Sequence, residues 1–328
     1  MISRSIRALG LFSGGLDSML AAVLIRNQGV EVTLLCFVTP FFGPERPRES
    51  AAHLGMPLRE QDLTEKFTNL LFDAPHGWGK GHNPCVDCHI LMLREAAVLM
   101  RAENFDFIFT GEVLGQRPMS QHRSALNLIA KESGVADLVL RPLSAKLLKP
   151  TLPELRGWVK REHLLDIHGR GRKRQMALAQ EISLRHFPSP AGGCLLTDPA
   201  YAKRLKDLLT HSPLLRRHDL ELLRWGRHFR LPGGAKAVVG RTRQENEAIL
   251  TLAAPGEVIL KIQNFPGPIV HLSAGASRRD LENAAALAAA YSDAPPGLEV
   301  SIAVRDVNDY TFVHLTNLQK DHFKDWLI

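Results

Sequence analysis

The run Ser13-Gly-Gly-Leu-Asp-Ser18 stands between an apolar stretch, Ile6 to Phe12, and an amphipathic one, Ser18 to Asn27. A strand that ends in two glycines and restarts as a helix can turn its amides inward, and the helix start adds partial positive charge at the same point. The run therefore predicts an anion site at a strand-to-helix turn. It is not the Gly-x4-Gly-Lys-Ser/Thr loop, since no lysine follows the glycines, nor the Gly-x-Gly-x-x-Gly of dinucleotide binding. The plain alternative is a connection in which Asp17 or Ser18 caps the helix.

The residues beyond it keep the same rhythm. Aliphatic runs at Val30 to Val38, Phe105 to Thr110 and Leu138 to Leu140 alternate with helical patterns, one of them around Glu49 to Leu54. That alternation predicts an α/β domain with a doubly wound parallel sheet. Pro153 to Glu162 and Lys173 to Arg185 read as helices, separated by the basic stretch His168 to Arg174. A segment rich in proline and glycine, 188 to 193, then leads to Cys194 and marks a boundary. Expected domains are 1–197 and 198–328. In the second, Ala200 to Leu209 and His218 to Arg224 read as linking helices. Strands are expected at Lys236 to Val239, Glu257 to Ile262, Ile269 to Leu272, Glu299 to Val304 and Thr311 to Leu315, with a helix from Arg278 to Tyr291, making a smaller α+β domain.

Composition constrains partners and compartment. The chain has 328 residues, enough for two cores, and a formal charge of +7 that favours a polyanionic partner. Four cysteines do not make a disulfide scaffold, which points to a reducing compartment. Met1 to Arg7 lead directly into the first strand-like run, so no secretory leader is expected. No apolar stretch reaches the roughly 20 residues of a membrane span. A soluble, cytoplasmic protein is the expectation.

Ser-Gly-Gly-x-Asp-Ser resembles the pyrophosphatase loop of the PP-loop ATPases, which share the adenine nucleotide alpha hydrolase-like fold and convert ATP to AMP and pyrophosphate while adenylating a substrate. The resemblance implies ATP contacts from Ser13, Gly14, Gly15 and Ser18, with Asp17 orienting Mg2+ or the loop. Thr110-Gly-Glu-Val-Leu-Gly-Gln116 with Met119-Ser-Gln121, followed by Arg141-Pro-Leu143, is similar to segments of tRNA 4-thiouridine synthetases. It implies that Gly111, Glu112 and Gln116 face an adenylated base, with Gly111 and Gln116 also near ATP. Arg141 alone could equally be a polar surface turn.

Asn83-Pro-Cys85-Val-Asp-Cys88-His89 places a Cys-x-x-Cys before a helical pattern starting near Ile90, and Cys194 follows in Ala191-Gly-Gly-Cys194-Leu195. A thiolate at a helix start has a lowered pKa, suited to metal or sulfur chemistry. The set is similar to that of cluster-dependent tRNA thiolases, in which three cysteines hold a [4Fe-4S] cluster; here these are Cys85, Cys88 and Cys194. Two other readings stand beside it. One is zinc completed by His82 or His89. The other is a persulfide on Cys85 or Cys88 that Cys194 resolves. Asp17, Cys85 and Cys194 are the expected catalytic residues. Cys36 reads as core.

Val239-Gly-Arg-Thr-Arg-Gln-Glu-Asn-Glu247 and Phe265-Pro-Gly-Pro-Ile-Val-His-Leu272 resemble the NFACT-R family of RNA-binding domains. Arg241 and Arg243 flank a turn suited to phosphate and sugar contacts, and Lys173 and Arg174 of the basic stretch are further RNA candidates or part of a phosphate lid. The combined resemblance implies an ATP-dependent RNA sulfurtransferase acting on tRNA, with free sulfide or a sulfur-carrier protein as donor and a homodimer among its assemblies. The rivals are a PP-loop ligase or amidotransferase-type synthetase acting on a small molecule, and a non-catalytic RNA-binding factor switched by ATP.

Overall fold

The computed structural model describes residues 4–188, 193–212, 214–306, 310–316 and 319–328. It divides into two compact units, Met1–Asp198 and Pro199–Ile328.

In chain order the first unit contains β1 (Arg7–Leu11), α1 (Leu16–Arg26), β2 (Glu31–Val38), α2 (Glu45–Leu54), β3 (Leu58–Asp62) and α3 (Thr64–Phe72). It continues with α4 (Cys85–Ala102), β4 (Phe107–Thr110), α5 (Arg123–Glu132), β5 (Val139–Leu140), α6 (Leu152–Leu155) and α7 (Lys173–Glu181). The strands form one parallel sheet in the order β3-β2-β1-β4-β5. Both faces are covered, which is why the central strands read as continuous apolar runs. Neighbouring residues of β1 show the alternation: Ala8 packs towards α1, α2 and α7, while Leu9 packs towards α4 and α5. Strand order reverses at β1, between β2 and β4, and ligands of such sheets bind at the carboxyl ends on either side of this switch.

Five elements depart from the sequence reading. β3, with the sequence LREQD, lacks an apolar alternation because it is an edge strand, and α3 and α5 are short helices flanked by loops. The helix expected over Pro153 to Glu162 is cut to Leu152–Leu155, because Gly157 adopts φ +69° and ends it. α4 begins at Cys85 rather than near Ile90, so both cysteines of the Cys-x-x-Cys lie in its first turn and a half.

The second unit contains α8 (Pro199–His211), α9 (Arg217–Leu222), β6 (Arg227–Arg230), β7 (Lys236–Val239), α10 (Arg243–Leu252), β8 (Val258–Ile262), β9 (Ile269–Leu272), α11 (Arg278–Ala290), β10 (Glu299–Arg305) and β11 (Tyr310–Thr316). Its antiparallel sheet has the order β11-β10-β8-β9-β7-β6. Ala237 and Val239 pack towards the alanine-rich α11, while Val238 between them packs with Leu222 of α9 and Ile249 of α10. α10 was not legible as a helix; Thr242 caps it by accepting from the Glu245 amide.

Candidate nucleotide and cysteine site

After β1 the chain turns at Gly14, whose φ is +69°. A Cβ there would also lie 2.7 Å from the Arg46 backbone, so only glycine fits. Ser50 of α2 holds the turn by donating to the Gly14 carbonyl at 2.8 Å. Gly15 caps α1 without a side chain, which leaves the first-turn amides of α1 without an intrahelical partner. Ser13 and Ser18 converge, their hydroxyls 3.4 Å apart, and Ser18 donates to the Gly15 carbonyl at 2.8 Å. Asp17 accepts from Gln116 Nε2 at 3.0 Å on Oδ2, while its Oδ1 is buried with no partner. Gly111 lies against the helix start: a Cβ there would approach the Ser18 backbone nitrogen to 2.6 Å. Ser13, Gly14, Gly15, Asp17, Ser18, Gly111 and Gln116 are thus brought together, as a cradle of free amides and hydroxyls that suits a polyphosphate.

The segment after β4 reaches in two directions. Gln116 holds Asp17; Met119 and Glu112 reach the cysteine helix. Met119 Sδ lies 3.5 Å from Asn83 Nδ2, and Asn83 Nδ2 in turn donates to Cys85 Sγ at 3.0 Å. Glu112 accepts from His89 Nδ1 at 2.9 Å and from Arg141 Nε at 2.8 Å, with Thr110 Oγ1 donating at 3.0 Å. Burial opposes ionisation of Glu112, but the Arg141 charge and the His89 hydrogen bond outweigh it and bring the pKa down to about 2. Glu112 is therefore a carboxylate committed to an ion pair. Its side chain and that of Arg141 are each only 7% exposed, so Arg141 is a buried partner rather than a surface turn.

Cys194 comes to the same place by packing. Leu195 donates to the Phe41 carbonyl at 3.0 Å, and the Leu196 carbonyl lies against Gly81, just upstream of the Cys-x-x-Cys. Burial pushes the Cys88 thiol well above its ordinary value, with the neighbouring Cys194 and Cys85 thiols adding to the shift. Burial also raises Cys194, to about 11, offset in part by a backbone hydrogen bond at Leu196 and raised further by Cys85. The lowered pKa expected of a thiol at a helix start is overturned at Cys88, because burial outweighs the helix field. Among the described residues no trio of cysteine, histidine or carboxylate ligand atoms here falls within 4.8 Å. His82 bonds the Leu71 carbonyl at 2.7 Å and His89 bonds Glu112, so neither histidine proposed for zinc is held towards the thiols by its bonded nitrogen. Cys36 is buried in β2, as expected of core.

The basic residues divide. Arg174 turns back to Asp166, donating at 2.5 Å. Lys173 opens α7 and is exposed. In the second unit Arg241 makes a bidentate pair with Glu245, and Arg243, 94% exposed, pairs with Glu247 at 2.8 Å. One cluster there had no sequence signal. Glu257, at the start of β8, accepts from His271 at 2.8 Å and from Arg216 and His218 at 3.1 Å each. His218, Asp219 and Glu257 have metal-like spacing, but the Arg216 guanidinium already bridges both carboxylates.

Comparison with known proteins bears on both units. Residues 4–147 match the family model described as thiamine biosynthesis protein (ThiI), and residues 226–327 match that of the NFACT protein RNA binding domain. A tRNA sulfurtransferase of Desulfurococcus amylolyticus is 33% identical over 147 residues, 42% of this chain and 29% of that protein. The tRNA-specific 2-thiouridylase MnmA of Pelobacter propionicus is 34% identical over 113 residues, 30% of this chain and 31% of that protein. A solved 4-thiouridine synthetase in complex with RNA and ATP aligns at 24% identity over 66% of this chain and 52% of that one, with a TM-score of 0.38. The chain spans about a third of the length of the curated relatives it matches.

Proposed function

We propose that the protein is an ATP-dependent tRNA sulfurtransferase that adenylates a uridine carbonyl oxygen and replaces it with sulfur. The observation that carries this reading is the segment after β4, which touches the phosphate cradle through Gln116 and the cysteine helix through Glu112 and Met119. Activation and sulfur delivery would then act on one base held between them.

A carbonyl oxygen is a poor leaving group, so it must first be made a good one. The uridine oxygen attacks the α-phosphorus, the bond to the bridging oxygen breaks, and pyrophosphate leaves. The amides of α1 with Ser13 and Ser18 take up its charge, and Asp17 would hold a Mg2+ ion that neutralises more of it. Hydrosulfide then adds at the activated carbon, a proton is lost, and AMP departs with the former carbonyl oxygen. No electrons are exchanged. Gly111 admits the nucleotide close to the backbone, and Glu112 positions the segment through Arg141 and His89 without moving a proton.

Cys85, Cys88 and Cys194 fit the donor set of a [4Fe-4S] cluster: three half-buried thiols near one another that do not close within 4.8 Å as the ligands of a single ion would. Such a cluster would supply an open iron for sulfide. RNA is held by the second unit, with Arg243 free enough of structural duty to meet a phosphate.

Nucleoside mass spectrometry of RNA from cells with and without the protein tests the assignment. A thiolated uridine is expected to disappear with the protein; if every thiolated nucleoside persists, the substrate is wrong. Iron and acid-labile sulfide in anaerobically purified protein separate this reading from a nitrogen-transferring synthetase, which has no need of either.

A further inference from the structure

The start of α7 is unexplained by the cradle described so far. Gln175 is completely buried, yet neither its amide nitrogen nor its oxygen has a hydrogen-bond partner. Arg172, which precedes α7, has a buried and unpartnered Nε, and among the described residues its guanidinium makes no ion pair. A buried amide without partners costs stability unless something else satisfies it. Arg172 provides no side-chain cap, so the first-turn amides of α7 are open as well.

Two sets of contacts fix where this helix end lies. At one end, Gly169 donates to the Leu114 carbonyl at 2.7 Å, two residues from Gln116, which holds Asp17 in the first turn of α1. At the other, the His186 ring beyond α7 stacks on His53 near the end of α2 at 5.0 Å, and Arg26 at the end of α1 donates to the adjacent Leu54 carbonyl at 2.7 Å. α7 packs on α1 and so runs parallel to it, and both helix starts open at the same edge of the sheet. On that edge Asp17 Oδ1 is also buried and unpartnered. Two helix N-termini, an unpaired guanidinium, an unsatisfied amide and a half-bonded carboxylate on one sheet edge suit a magnesium-bound polyphosphate.

We propose that Arg172, Gln175 and the first-turn amides of α7 form the second wall of the nucleotide site and hold the β- and γ-phosphates that become pyrophosphate. The inference rests on the reading of residues 13 to 18 as an ATP loop, and it takes part of the basic stretch away from RNA. As the bond between the α-phosphorus and its bridging oxygen breaks, the electron pair passes to pyrophosphate, and Arg172 meets the added charge. AMP, which lacks those phosphates, does not reach this wall.

Calorimetric titration of the full chain with Mg2+-ATP, AMP and inorganic pyrophosphate tests this. Arg172→Ala should weaken ATP and pyrophosphate by about tenfold or more, the range of a charge-assisted hydrogen bond, and leave AMP within about twofold. Arg172→Lys should recover part of the loss, and Arg101→Ala, a charge-matched change at the exposed end of α4, should alter none of the three. Gln175→Met should raise the melting temperature of the free protein while weakening ATP, a pairing that a structural role does not produce. Equal ATP and pyrophosphate affinities in wild type and Arg172→Ala, or a parallel loss of AMP, would overturn the second wall while leaving the loop intact. Failure of the wild type to bind ATP would overturn the loop, and this wall with it.

Discussion

Each unit of this protein buries a glutamate held ionised far below its ordinary range, and the two are built differently. Glu112 and Glu257 both have a pKa near 2 against an ordinary 4.5. Burial opposes ionisation in both. At Glu112 it is overcome first by the charge of Arg141, itself buried; at Glu257 the hydrogen bond from His271 leads, with the Ala254 amide and His218 behind it. The guanidinium near Glu257, Arg216, is 47% exposed. The first carboxylate is locked to a charge that cannot escape. The second is held by ring and backbone donors and by a half-exposed guanidinium that can turn to solvent.

The largest effect should follow from Glu112→Gln, which strands Arg141 and should cost about 3–5 kcal/mol. Hydrogen exchange, which reports each unit separately, should show the loss in the first unit and dislocation of Gln116 from Asp17. A cost below about 1 kcal/mol would break the comparison. Glu257→Gln should cost less, about 1–3 kcal/mol, because its partners lose hydrogen bonds while the half-exposed Arg216 keeps its access to water. An equal or larger cost would show that Arg216 is held as tightly as Arg141.

Acid should act on both. A carboxylate whose folded pKa is depressed contributes stability that is complete above about pH 4.5 and is lost as the pH falls through about 2. Urea midpoints measured at pH 5 and pH 3 should fall in the wild type, and each glutamine variant should flatten the fall in its own unit. The smallest effect should come from Arg243→Ala. Loss of its exposed pair with Glu247 is expected to leave the urea midpoint unchanged, yet it should lower the salt dependence of RNA binding by about one phosphate contact. An unchanged salt slope would remove Arg243 from the proposed RNA contacts.

Local chemistry made much of this legible in the chain. Glycine at a strand-to-helix turn, apolar runs without polar interruption and a polar segment beginning at a strand end are decided within a few residues, so β1, α1, β2, β4 and the glycine turn at residues 13 to 18 could be read from the sequence. β3 could not, since an edge strand has little apolar face to show. The pairing of Glu112 with Arg141, 29 residues away, and of Asp17 with Gln116, 99 residues away, depends on which loops the sheet order makes neighbours.

Cys194 illustrates the limit most clearly. Its residue type suggested a site with Cys85 and Cys88, but its closeness to Cys88 comes from the packing of Leu196 against Gly81. The same holds for Arg172: its place in a basic stretch left RNA and a phosphate lid both open, and the packing of α7 on α1 is what supports the phosphate reading proposed above. Residue type limits what a side chain can do, whereas burial and neighbours, set by the assembled sheet, decide which of those things it does.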